Sequence, residues 1–135
     1  MINNNNNNNN SKTNLKNLCY YCFNILISHL QNKNHTIKFP ENFKNDSSPI
    51  FITYRTLLGG ETQGALRGCR GTLHPALLEK NLQKFSLSAA LDDNRFPPIT
   101  LEEIPFFNLE ISAYTKLINN TLAGCIFGII TNHNF

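Results

Sequence analysis

Residues 65–73 read Ala-Leu-Arg-Gly-Cys-Arg-Gly-Thr-Leu, and the neighbouring segments are best interpreted from this stretch outward. Two glycines, Gly68 and Gly71, bracket Cys69 in an otherwise apolar and basic run. Each glycine would cost about 1 kcal/mol relative to alanine in a helix interior, which disfavours a helix. The stretch therefore predicts a strand that enters a tight backbone passage, where glycine permits a positive φ or the close approach of another group.

Composition limits the class of protein. The chain has 135 residues, of which 41% are hydrophobic, and this allows one domain with a modest core. The net charge of +3 is mild and only Arg67 and Arg70 are grouped, so we do not expect a nucleic-acid partner. The longest apolar run, residues 122–130, contains two glycines and is shorter than the roughly 20 residues of a membrane-spanning helix. We therefore expect no membrane anchor.

The start of the chain predicts a tail followed by a helix. Residues 3–10 are all asparagine, which predicts a disordered tail over residues 1–12. No signal-peptide pattern precedes the four cysteines, so we expect free thiols and an intracellular location, in the nucleus or the cytoplasm. From Thr13, a plausible N-cap, apolar residues recur at spacings of three and four as far as Leu30, which predicts a helix that ends at residues 32–34.

Two cysteines in this helix raise the question of a metal site. Cys19 and Cys22 form a Cys-x-x-Cys motif, with His29 and His35 at a spacing that loosely resembles a zinc site. Both thiols fall on the apolar stripe of the helix, and no turn separates the cysteine and histidine pairs. We therefore predict that the two cysteines are small buried residues, and we predict neither a metal nor another cofactor.

The middle of the chain predicts a hairpin and a second helix. Residues 49–55 and 65–69 have strand composition, and the glycine-rich residues 57–64 between them predict the turn. After a break at His74-Pro75, apolar residues at 78, 82, 85 and 89 form one helical seam that ends at Asp92.

The following segment predicts a short turn and a strand. Pro97 and Pro98 fix extended backbone, and Thr100 with Glu103 has the form of a capping box that starts one helical turn, which Pro105 ends. Apolar and polar residues alternate over residues 107–117, which predicts a half-buried strand.

Three segments match a known pattern in order and spacing. Residues 66–72 (Leu-Arg-Gly-Cys-Arg-Gly-Thr) are followed by Phe-Ser-Leu-Ser-Ala-Ala at 85–90 and by Asp-Asn-Arg-Phe-Pro-Pro at 93–98. They resemble the AMMECR1 family, whose signature is Leu-Arg-Gly-Cys-Ile-Gly-Thr with Ala-x-x-Asp-x-Arg-Phe-Pro-Pro downstream. The resemblance implies an α+β fold with a mostly antiparallel sheet and packed helices, and a cleft at the signature. It supplies no reaction, because family members have no established biochemical activity.

The chain departs from the family pattern at two places. Arg70 stands where the signature more often has an aliphatic residue. Residues 119–135 match neither the further strand nor the C-terminal helix with which family domains continue. We therefore expect a partial AMMECR1-like domain over residues 13–118, incomplete at its C-terminus, with an unmatched tail over residues 119–135.

Cys69 and Glu110 are the candidate catalytic residues. Cys69 would act as a nucleophile, because the neighbouring arginines would favour its thiolate. Alternatively, it is a small buried residue at a position between two glycines where nothing larger fits. Glu110, a carboxylate in the middle of a strand, would act as a general base or orient Arg67, although most such residues are simply solvated.

The candidate ligand-binding residues are Arg67, Gly68, Arg70, Gly71 and Arg95. Arg67 and Arg70 would point to opposite faces of a strand. Arg67 and Arg95 would form an anion clamp, helped by backbone N–H groups that the glycines leave accessible.

The alternative to this clamp is a structural ion-pair network that joins Arg67 and Arg95 to Asp93 and Glu110. In this network, either Arg67 or Arg70 would pair with Asp92, Asp93 or Glu110. Two functions therefore remain open. The protein is either an enzyme, or enzyme subunit, that acts on a small molecule at a cleft around residues 66–72, or a non-catalytic binding or adaptor module that recognises an anionic ligand or a partner protein.

Overall fold

The computed structural model describes residues 5–56, 64–118 and 121–131, and the side chains of residues 16–56 and 64–111. In chain order, the elements are α1 (Asn5–Leu30), β1 (Ser47–Thr56), β2 (Ala65–Leu77), α2 (Leu78–Leu91), β3 (Phe107–Ile118) and β4 (Thr121–Thr131). Two short 3-10 helices, Glu41–Phe43 and Leu101–Phe106, lie in the connections. The turn predicted over residues 57–64 lies outside the described residues except for Gly64.

The four strands form one antiparallel sheet in the order β2-β1-β3-β4, and both helices pack on one of its faces. Alternate residues of β1 and β3 point towards the helices and are fully buried, because the side-chain period of a strand is two. They form one core with the apolar stripe of α1 and the seam of α2: Leu18, Cys22, Leu26, Ile50, Ile52, Tyr54, Leu82, Phe85, Leu109, Ile111. The predicted α+β fold with a mostly antiparallel sheet is confirmed.

The prediction that Cys19 and Cys22 are small buried residues is also confirmed. Cys19 and Cys22 are fully buried in this core, where they pack as small apolar side chains. Burial raises the pKa of Cys22 to about 12, against a lowering effect from its hydrogen bond with Ser86. Burial likewise raises the pKa of Cys19. Both thiols therefore stay protonated at neutral pH.

The helix and strand boundaries differ from the prediction at two places. α1 begins at Asn5 rather than at Thr13, and so includes part of the asparagine run. Asparagine costs less than about 1 kcal/mol per residue in a helix, so an established helix can extend through it. β2 continues through His74-Pro75 to Leu77. The pairing with β1 jumps from Thr72↔Ile50 to Ala76↔Ser48, so the proline lies in a bulge where the ladder needs no N–H.

β4 lies within residues 119–135, which the sequence places outside the domain. Its backbone pairs with β3 over most of the length of both strands, from Asn108↔Thr131 to Ile118↔Thr121. β3 is therefore an interior strand of the sheet, and β2 and β4 are the edges.

Gly68 sets the distance between β2 and α2. A Cβ added at Gly68 would overlap the carbonyl oxygen of Ala89, a backbone atom that cannot move aside. The φ of Gly68 is not positive, so its function in the fold is close approach rather than a special backbone conformation. A second link between sheet and helix lies nearby, where the buried Tyr54 hydroxyl donates to the Ser86 carbonyl at 2.9 Å.

We expect Gly68→Ala to lower the free energy of unfolding by about 1–3 kcal/mol, because the new methyl group must push α2 away from β2. Urea titration followed by circular dichroism measures this change. Leu73→Ala on the same strand is the control, since Leu73 is exposed and its truncation should change stability by no more than about 0.5 kcal/mol. Equal stability of Gly68→Ala and the parent chain would contradict the close contact.

Candidate functional site

Residues 67–70 of β2 contact the last turn of α2 and the segment that follows it. We call these contacts the edge clasp: residues 67–70 on one side and residues 89–103 on the other. The backbone N–H of Cys69 donates to the Asp93 carboxylate at 3.0 Å, and Arg70 Nη2 donates to the Asp92 carbonyl at 2.6 Å. Because β2 is an edge strand, the segment covers part of its outer side, where backbone groups would otherwise lack a partner.

Arg67 is held by an acid and a carbonyl group. Its Nε and Nη2 donate to the two carboxylate oxygens of Glu103 at 3.1 and 3.2 Å, and its Nη1 donates to the Pro97 carbonyl at 2.7 Å. The side chain is only 13% exposed. Burial acts to raise the pKa of Glu103, but the Thr100 N–H and the Arg67 guanidinium outweigh it and hold the pKa below its ordinary value. Glu103 also completes the predicted capping box with Thr100.

Asp93 is the second acid of the edge clasp. It is buried and accepts hydrogen bonds from the Nε and Nη2 of Arg95 at 3.0 and 2.8 Å, in addition to the bond from Cys69. The Arg95 side chain is the main cause that holds the pKa of Asp93 far below its ordinary value; burial opposes this effect, and the N–H groups of Cys69 and Arg95 add to it. The same pairing raises the pKa of Arg95.

Other atoms of the protein occupy the space beside both glycines of the motif, Gly68 and Gly71. At Gly68 the Ala89 carbonyl occupies the space, and at Gly71 a Cβ would overlap the Phe51 ring and the Ile50 carbonyl. The glycines therefore allow close internal packing. Neither opens a gap of its own for a ligand.

Cys69, Thr53 and Glu110 form a row on the face of the sheet opposite the helices. Thr53 pairs with Cys69 on one side and with Glu110 on the other, and it lies between the fully buried Ile52 and Tyr54. The Thr53 hydroxyl donates to Cys69 Sγ at 3.3 Å. Cys69 is partly exposed, and Glu110 lies 3.9 Å from the guanidinium of Arg55. We call this surface the polar face.

Asn108 lies on β3 at the edge of the polar face, two residues from Glu110 and paired with Arg55. The residue is buried, and its side-chain Oδ1 has no hydrogen-bond partner among the residues whose side chains the structure describes. A buried acceptor without a partner costs about 1–3 kcal/mol.

The structure brings some of the predicted site residues together and separates others. Cys69 and Glu110 share a face but have Thr53 between them. Arg67 and Arg95 bind different carboxylates, so the clamp is not assembled from them. The predicted Arg95–Asp93 pair is present, but Arg67 pairs with Glu103, and Glu110 pairs with Arg55.

Two residues of this arrangement are not part of the predicted site. The sequence predicts Glu103 only as a capping residue, and nothing in the local pattern indicates that it also reaches β2. Thr53 could have been found, because a polar residue between Ile52 and Tyr54 must lie on the face away from the core.

No group of three or more His, Cys, Asp or Glu side chains is placed to hold a metal ion within the described ranges. None of the described helices is both long enough and apolar enough to cross a membrane.

Asp93→Asn should lower the free energy of unfolding at pH 7 by about 1–3 kcal/mol, because hydrogen bonds to a charged acceptor are lost. The pKa of Asp93 is depressed in the folded state, so its contribution is present above the ordinary value of about 4 and is lost as the pH falls below it. The difference between parent and variant should therefore shrink in urea titrations below about pH 4. Asp92→Asn is the matched control, since the Asp92 side chain is exposed and the edge clasp uses only its carbonyl. A difference that does not depend on pH would argue against this role of the Asp93 charge.

A double-mutant cycle with Arg67→Met and Glu103→Gln should give a coupling energy of about 1–2 kcal/mol, since the pair is two-pronged and mostly shielded. The same cycle with Arg55→Met and Glu110→Gln is the comparison. That pair is 3.9 Å apart and its arginine is 36% exposed, so we expect less than about 0.5 kcal/mol. Similar coupling in the two cycles would contradict the importance of the two-pronged geometry.

Comparisons with known proteins agree with this fold. The family model described as AMMECR1 matches residues 19–132, a range that includes β4. The chain is 36% identical over 101 residues to the uncharacterised protein At2g38710 of Arabidopsis thaliana, and 36% identical over 97 residues to protein MJ0810 of Methanocaldococcus jannaschii. These alignments cover 74% and 70% of this chain.

A solved structure shows the same relationship. The uncharacterised protein PH0010 of Pyrococcus horikoshii superposes with a TM-score of 0.63 at 28% identity, over 73% of this chain and 49% of that chain. The chain spans about half the length of the curated relatives that it matches, 45% of the Arabidopsis protein and 46% of the Methanocaldococcus protein. With a family model that matches most of its length, the chain belongs to the AMMECR1 family.

Proposed function

We propose that this protein acts on a small molecule at the polar face, as an enzyme or as a subunit of one, with Cys69 as the reactive group. The observation that supports this proposal is the hydrogen bond from the Thr53 hydroxyl to a partly exposed Cys69 Sγ. A thiol in this position reaches solvent and has a fixed neighbour, which are two features of a working nucleophile.

The spacing of the strands determines how Glu110 would take part. Neighbouring strands lie about 4.8 Å apart, so residues on β2 and β3 in the same row are separated by roughly 10 Å. Glu110 is therefore too far away to remove the proton of Cys69 directly. We assign it to a second point of the substrate, as general base or as hydrogen-bond acceptor, and the substrate must then extend over about two strands.

The charges around the site favour a substrate without net charge. Arg67 and Arg95 are each paired with a carboxylate, and Arg70 donates to a backbone carbonyl. On the polar face, Arg55 is balanced by Glu110. An anionic ligand at Arg67 or Arg95 would have to displace a carboxylate from that arginine. Under this proposal, Arg67, Arg95 and the two glycines therefore support the site without contacting the substrate.

The edge clasp favours a second candidate, a non-catalytic binding or adaptor module. Each residue from 67 to 70 contacts the segment of residues 89–103, so the motif has a structural role that needs no chemistry. In that case Cys69 would be a packing residue, and a partner would bind the polar face without reacting. The two candidates differ in one measurable property, the reactivity of the Cys69 thiol.

We expect Cys69 to react with iodoacetamide at pH 7 about tenfold faster than N-acetylcysteine does. The experiment uses the full chain with Cys125→Ser, so that Cys19 and Cys22, which are buried, are the other thiols present. Mass spectrometry of native protein should show one modification, located at Cys69. Thr53→Val should slow it about 3- to 10-fold through loss of the hydroxyl donor, whereas Thr36→Val, in an exposed segment, should not.

Slow labelling of Cys69, at or below the rate of the free amino acid, would overturn the enzyme proposal and leave the binding module. Rapid labelling that Thr53→Val does not change would overturn the role of the hydroxyl. Unfolding in urea is the internal control, because it should expose Cys19 and Cys22 and raise the number of modifications to three.

A further inference from the structure

A cavity of about 480 Å³ opens between α1 and the segment that follows it, on the opposite side of the sheet from Cys69. This volume lies in the range of small-molecule sites, about 300–1,000 Å³. No step of the proposed function uses it. The residues that line it are mostly aromatic or carry amide groups: Asn17, Tyr20, Tyr21, Asn24, Phe39, Asn42, Phe43.

The floor of the cavity is held in place by contacts that do not need a ligand. Tyr21 and Phe39 are buried, and their rings meet edge to face with centroids 5.1 Å apart. The Tyr21 hydroxyl accepts a hydrogen bond from Gln83 of α2 at 2.8 Å. Because these side chains are already ordered, less binding free energy is lost in ordering them when a ligand binds.

One wall of the cavity is a single face of α1. Asn17, Tyr20 and Asn24 follow one another at spacings of three and four residues, which places them side by side on the helix. Tyr20 is 37% exposed, and Asn17 and Asn24 are exposed beside it. The wall therefore presents an aromatic ring between two amide groups.

The opposite wall carries balanced charge. Lys38 and Glu41 both line the cavity, and Asn42 adds a third amide. One cation and one anion give this wall no net charge, so a strongly charged ligand gains nothing from it.

We propose that this cavity binds a purine nucleoside. Aromatic side chains stack on the faces of bases, and an Asn amide can pair with the N6 and N7 edge of adenine through one donor and one acceptor. The available volume fits one nucleoside, and the balanced charges favour an uncharged nucleoside over its phosphates. This site is independent of Cys69 and of the function proposed above.

Adenosine is the probe, titrated into the full chain and followed by calorimetry. We expect saturable one-to-one binding with a Kd between about 10 and 1,000 µM, as is usual for a small ligand in an open site. Tyr20→Ala should weaken it at least fivefold through lost stacking, a loss of about 1 kcal/mol. Asn24→Ala should weaken it about tenfold through a lost amide pair.

Leu73→Ala is the matched control, because Leu73 is exposed on β2 and does not line the cavity. Circular dichroism confirms that each variant is folded before titration. ATP should bind no more tightly than adenosine, and glucose should not bind. The proposal is overturned by the absence of saturation at about 5 mM adenosine, by unchanged affinity in both cavity variants, by ATP binding more tightly than adenosine, or by glucose binding as tightly as adenosine.

Discussion

The arrangement depends most on one carboxylate, that of Asp93, at the outer edge of β2. It binds the N–H of Cys69 and the guanidinium of Arg95 at the same time, and so joins the signature of residues 66–72 to the Arg-Phe-Pro-Pro segment. Arg67 and Glu103 repeat the connection a short distance away. The two segments of the family pattern, residues 66–72 and 95–98, are therefore joined through Asp93. At Cys69, a backbone N–H on the outer side of this edge strand is paired within the chain itself.

The same contact changes what the motif can do. Arginines and glycines around a cysteine suggest a ready site for an anion, yet the arginines are occupied by Glu103, Asp93 and the Asp92 carbonyl, and the space at the glycines is filled. The chemistry that remains is the Cys69 sulfur with its Thr53 donor, and the Glu110–Arg55 pair next to it. Our proposal of a neutral substrate at the polar face is based on these four side chains.

Much of the fold could be predicted from local patterns. The spacing on α1 and α2, the alternation on β3 and the capping box at Thr100 are all visible in short windows of sequence, and the structure has each element. The pairing of Arg67 with Glu103 could not be predicted, because it joins residues 36 apart that lie before and after α2 in the chain. The continuation of β2 through Pro75 could not be predicted for a related reason, since the bulge that accommodates the proline depends on the pairing of β2 with β1. The cavity beside α1 and the row across the polar face could not be predicted either, because each is formed by side chains from separate segments of the chain.

The edge clasp also has a consequence for folding during synthesis. The hairpin of β1 and β2 can form as soon as residue 77 is available, but the bonds at Cys69 and Arg67 span 24 and 36 residues and close only after Asp93 and Glu103 have been made. Long-range contacts of this kind form late, because loop closure must precede them. In the interval, the outer side of β2 is an unpaired strand edge beside exposed Leu73 and Leu77. The nascent chain is thus most vulnerable to association with other chains after its signature has been made and before the acids that cover it have emerged.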